Sequence, residues 1–215
     1  MKTLRIDIVS DVVCPWCIIG FKRLSQAMES VADECRFEIA WHPFELNPQL
    51  GPEGENADEH LARKYGIGPE EVARNRQHIT DMGRRLGFRF HYDADRKVYN
   101  TFDAHRILYW AQEQGNQTDI SLALFEAYFS DGLNPSAPEV LTSIAERLGL
   151  NAQRVSAILE SDDYADAVRD AEDHYRRMGI QAVPAYIINE RYLISGGQEP
   201  DVFIQAFRQI ASEAA

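Results

Sequence analysis

Residues 4–31 read LRIDIVSDVVCPWCIIGFKRLSQAMESV, and a change of period inside this stretch decides the fold. Leu4, Ile6 and Ile8 alternate with more polar neighbours, the period-two signature of a short strand over residues 4–9. Ser10-Asp11-Val12-Val13 is a connection. From Pro15 the period becomes helical. Phe21, Leu24, Met28 and Val31 recur at i, i+3, i+7 and i+10 on one face, and Pro15 suits a first helical turn, where its missing N–H is not needed. The helix is expected to end near Asp33. Alternation returns over residues 36–41, with Phe37, Ile39 and Trp41 on one face, and Pro43 closes that strand. Strand, helix and strand within the first 42 residues make a βαβ unit, which predicts parallel strands and a right-handed crossover.

Outward from this unit the chain turns helical. Ile79, Met82 and Leu86 mark one face over residues 70–86. Ala104, Ile107, Leu108 and Ala111 do so over 101–112, and Leu122, Phe125 and Phe129 over 121–129. Leu141, Ile144, Ala145 and Leu148 give the full i, i+3, i+4, i+7 pattern. Gly87, Gly115, Gly132 and Gly149 fall where these helices should stop. Strands return at residues 185–188 and 192–195, joined by Asn189-Glu190-Arg191 as a hairpin. Gly196-Gly197 breaks the chain, and residues 201–211 read as a closing helix with Phe203, Ala206, Phe207 and Ile210 on its face. The Pro-, Gly- and acid-rich run over 47–58 looks like the exit into the helical block, with re-entry near Gly179. Neither strand-bearing end makes a satisfying sheet alone; joined, they give four strands with helices on the faces.

The 215 residues carry 22 Lys and Arg against 34 Asp and Glu, a net charge of −12. Phosphate binding needs clustered basic residues, so nucleic acid is not expected as a partner. No apolar run is long enough to span a bilayer, so no membrane partner is expected. The N-terminus, interrupted by Asp7, lacks the apolar core of a signal peptide, and a cytoplasmic location is expected. There are three cysteines, Cys14, Cys17 and Cys35. Cys35 has no obvious partner and reads as a small, half-buried hydrophobe opening the second strand.

Cys14-Pro15-Trp16-Cys17 carries the chemistry. A thiolate pair can hold zinc or a cluster, but that takes about four ligands. No second Cys-x-x-Cys or His-x-His is present and the six histidines are scattered, so no metal site is expected. The other use is disulfide exchange, which needs an exposed thiolate and a second thiol within reach. Cys14 stands at the start of the first helix, where free N–H groups and the positive dipole end favour a thiolate. Cys17 lies one turn further in, on the same side and more covered, as a resolving thiol should be. Trp16 and Pro15 then border the groove beside Cys14. Far along the chain, Val183-Pro184 stands just before a predicted strand, a permitted place for proline, and the topology brings it next to the first helix's N-terminus. An ordinary trans turn proline is the commoner case; a cis bond there would aim the Val183 backbone at a bound peptide.

Smaller signals are weaker. His105 lies on an otherwise core-facing helix, a position more often held by a satisfied structural histidine than a catalytic one. His91, Asp93 and Asp95 lack the Gly and terminal Glu of a calcium loop and read as a solvated turn. Gly196-Gly197 precedes a helix, whose N-terminus can receive a carboxylate such as that of glutathione; it serves equally well as a plain turn.

Cys14-Pro15-Trp16-Cys17 after Ser10-Asp11, the Val183-Pro184 pair, Ser195-Gly196-Gly197-Gln198, residues 100–106 (NTFDAHR) and 124–129 (LFEAYF) together resemble the FrnE-like branch of the DsbA family, over nearly the whole chain. The resemblance implies an α/β thioredoxin fold, β-α-β … β-β-α, interrupted by an inserted α-helical domain. The thioredoxin-like part would be residues 1–50 and 179–215, and the insert residues 51–178. It implies that Cys14 is the nucleophile, Cys17 the resolving thiol and Pro184 a cis-proline, with Trp16, Pro15 and Val183 lining the substrate groove. The activity implied is that of a thiol–disulfide oxidoreductase acting on protein or small thiols. No resident cofactor is implied, glutathione being a possible co-substrate, and both monomer and dimer fit. Two departures stand out. Trp16 occupies the dipeptide where periplasmic DsbA has a thiolate-stabilising histidine, which predicts a milder oxidant. Ala182 stands where family members often carry Gly. The fold is also similar to kappa-class glutathione transferases and 2-hydroxychromene-2-carboxylate isomerases, which act on small molecules with glutathione and typically have Ser in place of Cys14. The second thiol argues for exchange chemistry over that alternative, and over a non-catalytic chaperone module.

Overall fold

In the computed structural model, which describes residues 1–93 and 95–213, the chain runs β1 (Lys2–Ser10), α1 (Pro15–Ser30), β2 (Cys35–Pro43), β3 (Glu55–Asn56), α2 (Ala57–Tyr65), α3 (Pro69–Arg85), β4 (Lys97–Val98), α4 (Phe102–Glu113), α5 (Gln117–Phe129), α6 (Pro138–Arg147), α7 (Ala152–Leu159), α8 (Ala165–Arg177), β5 (Ala185–Ile188), β6 (Tyr192–Ser195) and α9 (Pro200–Glu213). This is a thioredoxin fold with a helical insertion. The main sheet has the order β2-β1-β5-β6. β1 and β2 are parallel, Ile6 opposite Ile39 and Ile8 opposite Trp41; β5 runs antiparallel to β1 with Ile8 opposite Tyr186, and β6 antiparallel to β5. The β5–β6 connection turns through Asn189 and Glu190, at φ 50° and 57°, with Arg191 N–H donating to Ile188 O at 3.1 Å. Two consecutive left-handed residues are the type I′ arrangement that matches strand twist.

The alternation in β1 holds at its start, where Thr3 and Arg5 are exposed, but from Ile6 onward both faces are covered. Leu4, Ile6, Ile8, Tyr186 and Ile188 join α1 and α9 residues (Leu24, Phe203, Phe207) in the main core. Val9, Ala185 and Ile187 pack on the other face with Phe44, Tyr175 of α8 and Ile180. Asp7 is therefore buried, and it is satisfied by His42 Nε2 at 2.8 Å and Arg5 Nη2 at 2.9 Å. Cys35 opens β2 as expected but is fully buried rather than half-buried, because Val31 and β1 close over the strand start.

The insertion packs against the β2 edge. Gln117, the first residue of α5, acts as a substitute strand. Its Nε2 donates to Trp41 O and its Oε1 accepts from Trp41 N–H, both at 2.8 Å. Trp41 stacks obliquely with Phe21 of α1 (4.9 Å between ring centres) and lies 6.2 Å from Phe125 of α5, so one core runs from the sheet into the insertion. Gly115 and Gly149, at φ 75° each just past α4 and α6, end those helices as the pattern predicts. Helices α2, α7 and α8 and the short antiparallel β3–β4 pair are additions to the sequence reading. Among the described residues no helix is long and apolar enough to cross a membrane.

Candidate functional site

Cys14 is the N-cap of α1, extended at φ −92°, ψ 114°, with Pro15 in the first turn. The loop before it is held by Cys14 N–H to Asp11 O (3.0 Å), and Cys17 N–H donates to Cys14 O (3.1 Å). Both cysteines are free thiols. The Val183–Pro184 peptide bond is cis, and the Cys14 thiol points at Val183 O, 3.7 Å from Sγ. Residues 169 positions apart thus meet at one point. Gly196 N–H donates to Pro184 O at 2.8 Å, which ties the proline to the start of the Gly-Gly segment.

The close approach depends on glycine. A Cβ on Gly20 of α1 would stand 3.0 Å from Gly197 Cα and 3.2 Å from Pro184 Cγ, and would collide with the Tyr186 hydroxyl; one on Gly197 would stand 3.2 Å from Trp16 O. Arg23 fastens the same contact, donating to Gly197 O at 2.6 Å and pairing with Glu199 at 2.5 Å. Gly196-Gly197 is therefore used as a packing face against α1.

The two thiols differ in environment. Cys17 is 1% exposed. Its burial pushes the thiol well above the usual cysteine value, and the neighbouring Cys14 adds to the rise; the Ser10 hydroxyl and the Asp11 backbone N–H pull the other way. Cys14, expected to be exposed, is only 4% exposed, because the Val183–Pro184 loop lies against its sulfur. The open surface beside it belongs to aromatic residues: Trp16 is 39% and Tyr65 61% exposed. Tyr65, at the end of α2, has its hydroxyl held above the usual tyrosine value by partial burial first and by Cys14 second. Pro15, Trp16 and Val183 are thus all at the site, and Tyr65 joins them from the insertion. Nothing in the sequence pointed to Tyr65, since a lone tyrosine closing a polar helix carries no periodic signal. Tyr186, two residues past Pro184, is buried with its hydroxyl raised well above the usual range by burial and by Cys17 and Cys14.

The other candidates separate. His91 pairs with Asp93 at 2.8 Å on the surface. His105 is buried, 3.7 Å from Asp11 Oδ1. Among the described residues no group of three or more His, Cys, Asp or Glu side chains is arranged to hold a metal ion.

Comparison with known proteins agrees with this geometry. The uncharacterised protein YwbO of Bacillus subtilis (strain 168) is 28% identical over 205 residues, spanning 95% of this chain and 96% of YwbO. A probable DsbA oxidoreductase from Streptomyces coelicolor superposes with a TM-score of 0.90 at 29% identity, over 99% of this chain and 91% of that one. A 2-hydroxychromene-2-carboxylate isomerase shares the fold, with a TM-score of 0.74 at 15% identity over 98% and 97% of the two chains. The family model described as a DSBA-like thioredoxin domain matches residues 5–208; with its paired thiols at the first helix and nearly its whole length inside that match, the chain belongs to the DSBA-like thioredoxin family.

Proposed function

We propose that the protein is a thiol–disulfide oxidoreductase, exchanging disulfides with protein or small thiols through Cys14 and Cys17. The observation that carries this is the meeting of an N-cap Cys14, a buried Cys17 one turn further along α1 and the Val183 carbonyl 3.7 Å from the Cys14 sulfur. The attacking species is the thiolate form of Cys14, the nucleophilic form of any cysteine, at the N-cap of α1. That thiolate attacks a substrate disulfide; the Cys14–substrate bond forms and the second substrate sulfur leaves as a thiolate. Cys17 then displaces the first, closing the Cys14–Cys17 bond. The Val183 backbone, with Trp16, Pro15 and Tyr65, lines the groove that holds the partner. Pro184 shapes the Val183 approach, and residues 51–178 act as the insert that walls one side. A transferase needs only one group to activate glutathione; a second thiol one turn away favours exchange, with glutathione as a small-thiol partner and the cytoplasm as the compartment. Trp16 in place of histidine suits a milder oxidant, and direction follows from potential, where 30 mV is worth about 1.4 kcal/mol.

Trapping tests the assignment. Cys17→Ala should accumulate mixed disulfides through Cys14, and Cys14→Ala should accumulate none. Insulin-reductase or thiol-oxidase activity surviving in the double cysteine variant would end this reading.

A further inference from the structure

Three buried polar atoms, Ser10 Oγ, His105 Nε2 and Ser121 Oγ, make no hydrogen bond of normal length among the described residues; Asp11 Oδ1, facing His105 Nε2, is 3.7 Å away. They belong to β1, α4 and α5, yet all three residues line one small cavity with about 10 Å³ of space for water, together with Val12, Trp41 and Phe125. That volume is about what a single water needs, and a buried water is held by two to four polar partners. Leaving three such atoms unpaired would cost about 1–3 kcal/mol each, so their convergence on one small space points to a shared ligand of that size.

The cavity has chemistry at both ends. Ser10 Oγ lies beside Cys17 and favours its thiolate, against the burial that holds the proton on. His105 faces Asp11 Oδ1 at 3.7 Å; Asp11 is anchored by Leu46 N–H, which donates to Oδ2 at 2.7 Å. Burial alone would push the His105 imidazole down, but Asp11, with Glu172 and Glu45 behind it, outweighs burial and holds it above its usual value. Those glutamates are in turn paired with Arg169, and Glu172 also with Arg176. His42 and Tyr109 are the other titratable groups on the cavity wall.

We propose that the cavity holds one ordered water, and that Ser10, this water and His105 form the path by which Cys17 loses its proton when it resolves the mixed disulfide on Cys14; the idea rests on the dithiol reading above. In that step the Cys17 proton passes by way of Ser10 Oγ and the water to His105 Nε2. The Cys17 sulfur attacks the Cys14 sulfur and the Cys14–Cys17 bond forms. The bond from Cys14 to the substrate sulfur breaks, and its electron pair leaves on the substrate thiolate. The dithiol has then given two electrons to the substrate disulfide. In the reverse direction the imidazolium returns the proton to Cys17. His105 acts through the water and is a positioning residue for the proton; it does not touch a reacting sulfur.

Rapid mixing of the reduced full chain with a chromogenic aromatic disulfide separates the steps, since the first equivalent of coloured thiol reports attack by Cys14 and the second reports resolution by Cys17. His105→Gln and Ser10→Ala should leave the first phase within about twofold. They should slow the second by about 100-fold at neutral pH, the low end of what a positioned proton acceptor contributes, and move its pH midpoint upward. Should His105→Gln fail to fold, Ser121→Ala joins Ser10→Ala under the same criterion. An unchanged second phase, in any variant whose first phase is intact, overturns the relay. A first phase that survives Cys14→Ala overturns the dithiol reading instead.

Discussion

Asp7 shows how a single side chain can carry a pH signature. Its carboxylate is buried between β1 and β2; burial raises its pKa, but the hydrogen bonds from His42 and Arg5 outweigh this and leave it below the usual aspartate value. A carboxylate depressed in the folded state stabilises the fold above its unfolded pKa of about 3.9, and that contribution is lost as pH falls through the lower folded value. Asp7→Asn should therefore lose about 2 kcal/mol at pH 7, the scale of a charged hydrogen bond, and little at pH 2. Urea midpoints at the two pH values check this; parallel losses at both would show that Asp7 acts through packing alone. At this scale the sequence is most legible where a residue type is rare and its chemistry narrow, as for Cys14, Cys17 and Pro184. It is least legible for Ser10, Tyr65, Ser121 and Tyr186. Their neighbours arrive from distant elements, so no local pattern announces what they face.

Among elements, the periodic ones were readable to within a few residues, since α1, α4, α5 and α9 each bury a stripe of apolar residues. The misses have physical causes. In α8 the buried face is Val168, Glu172 and Tyr175, so a charged residue interrupts the apolar stripe. In α7 only Val155 and Ile158 are buried, although Asn151 caps it by accepting from Gln153 and Arg154 N–H. In α2 Asn56 does the same for Asp58 and Glu59, and Ala57 and His60 are its buried residues. The strands β3 and β4 are two residues each, too short for a period. The contact that finishes the main sheet's β2 edge is likewise invisible in sequence, because it is one glutamine amide. Gln117→Ala would leave the Trp41 N–H and C=O buried and unpaired. It should destabilise the fold by about 3 kcal/mol, within the range for two orphaned backbone groups. Urea unfolding measures this directly, and a loss under about 1 kcal/mol would mean that solvent reaches the strand edge.

For the whole molecule the question is how firmly the insertion is tied to the thioredoxin sheet. Beyond Trp41 and the packing of Tyr175 on the sheet, the tie includes a buried ionic cluster. Glu45, just after β2, has its backbone N–H donating to Glu172 of α8 at 2.9 Å. Arg169 bridges the two carboxylates, pairing with Glu45 and with Glu172 at 3.0 Å. Both carboxylates are fully buried while Arg169 is half-exposed, so the cation neutralises the pair from the surface. Burial and the Glu172 charge already hold the Glu45 pKa above its ordinary value, against the pull of Arg169. A carboxyl whose folded pKa is raised favours the fold while protonated, and that advantage disappears as pH rises from the unfolded value of about 4.3 through the folded one. Arg169→Met removes the compensating charge and raises Glu45 further. The variant should lose about 3 kcal/mol at pH 7, as expected when one partner of a buried pair is deleted, and less at pH 5, where Glu45 takes up a proton. Because the core is continuous through Phe21, Trp41 and Phe125, helical circular dichroism and tryptophan fluorescence should shift together in a single transition. If the dichroism moved alone, the insertion would be unfolding independently of the sheet; an equal loss at both pH values would instead remove Glu45 from the explanation.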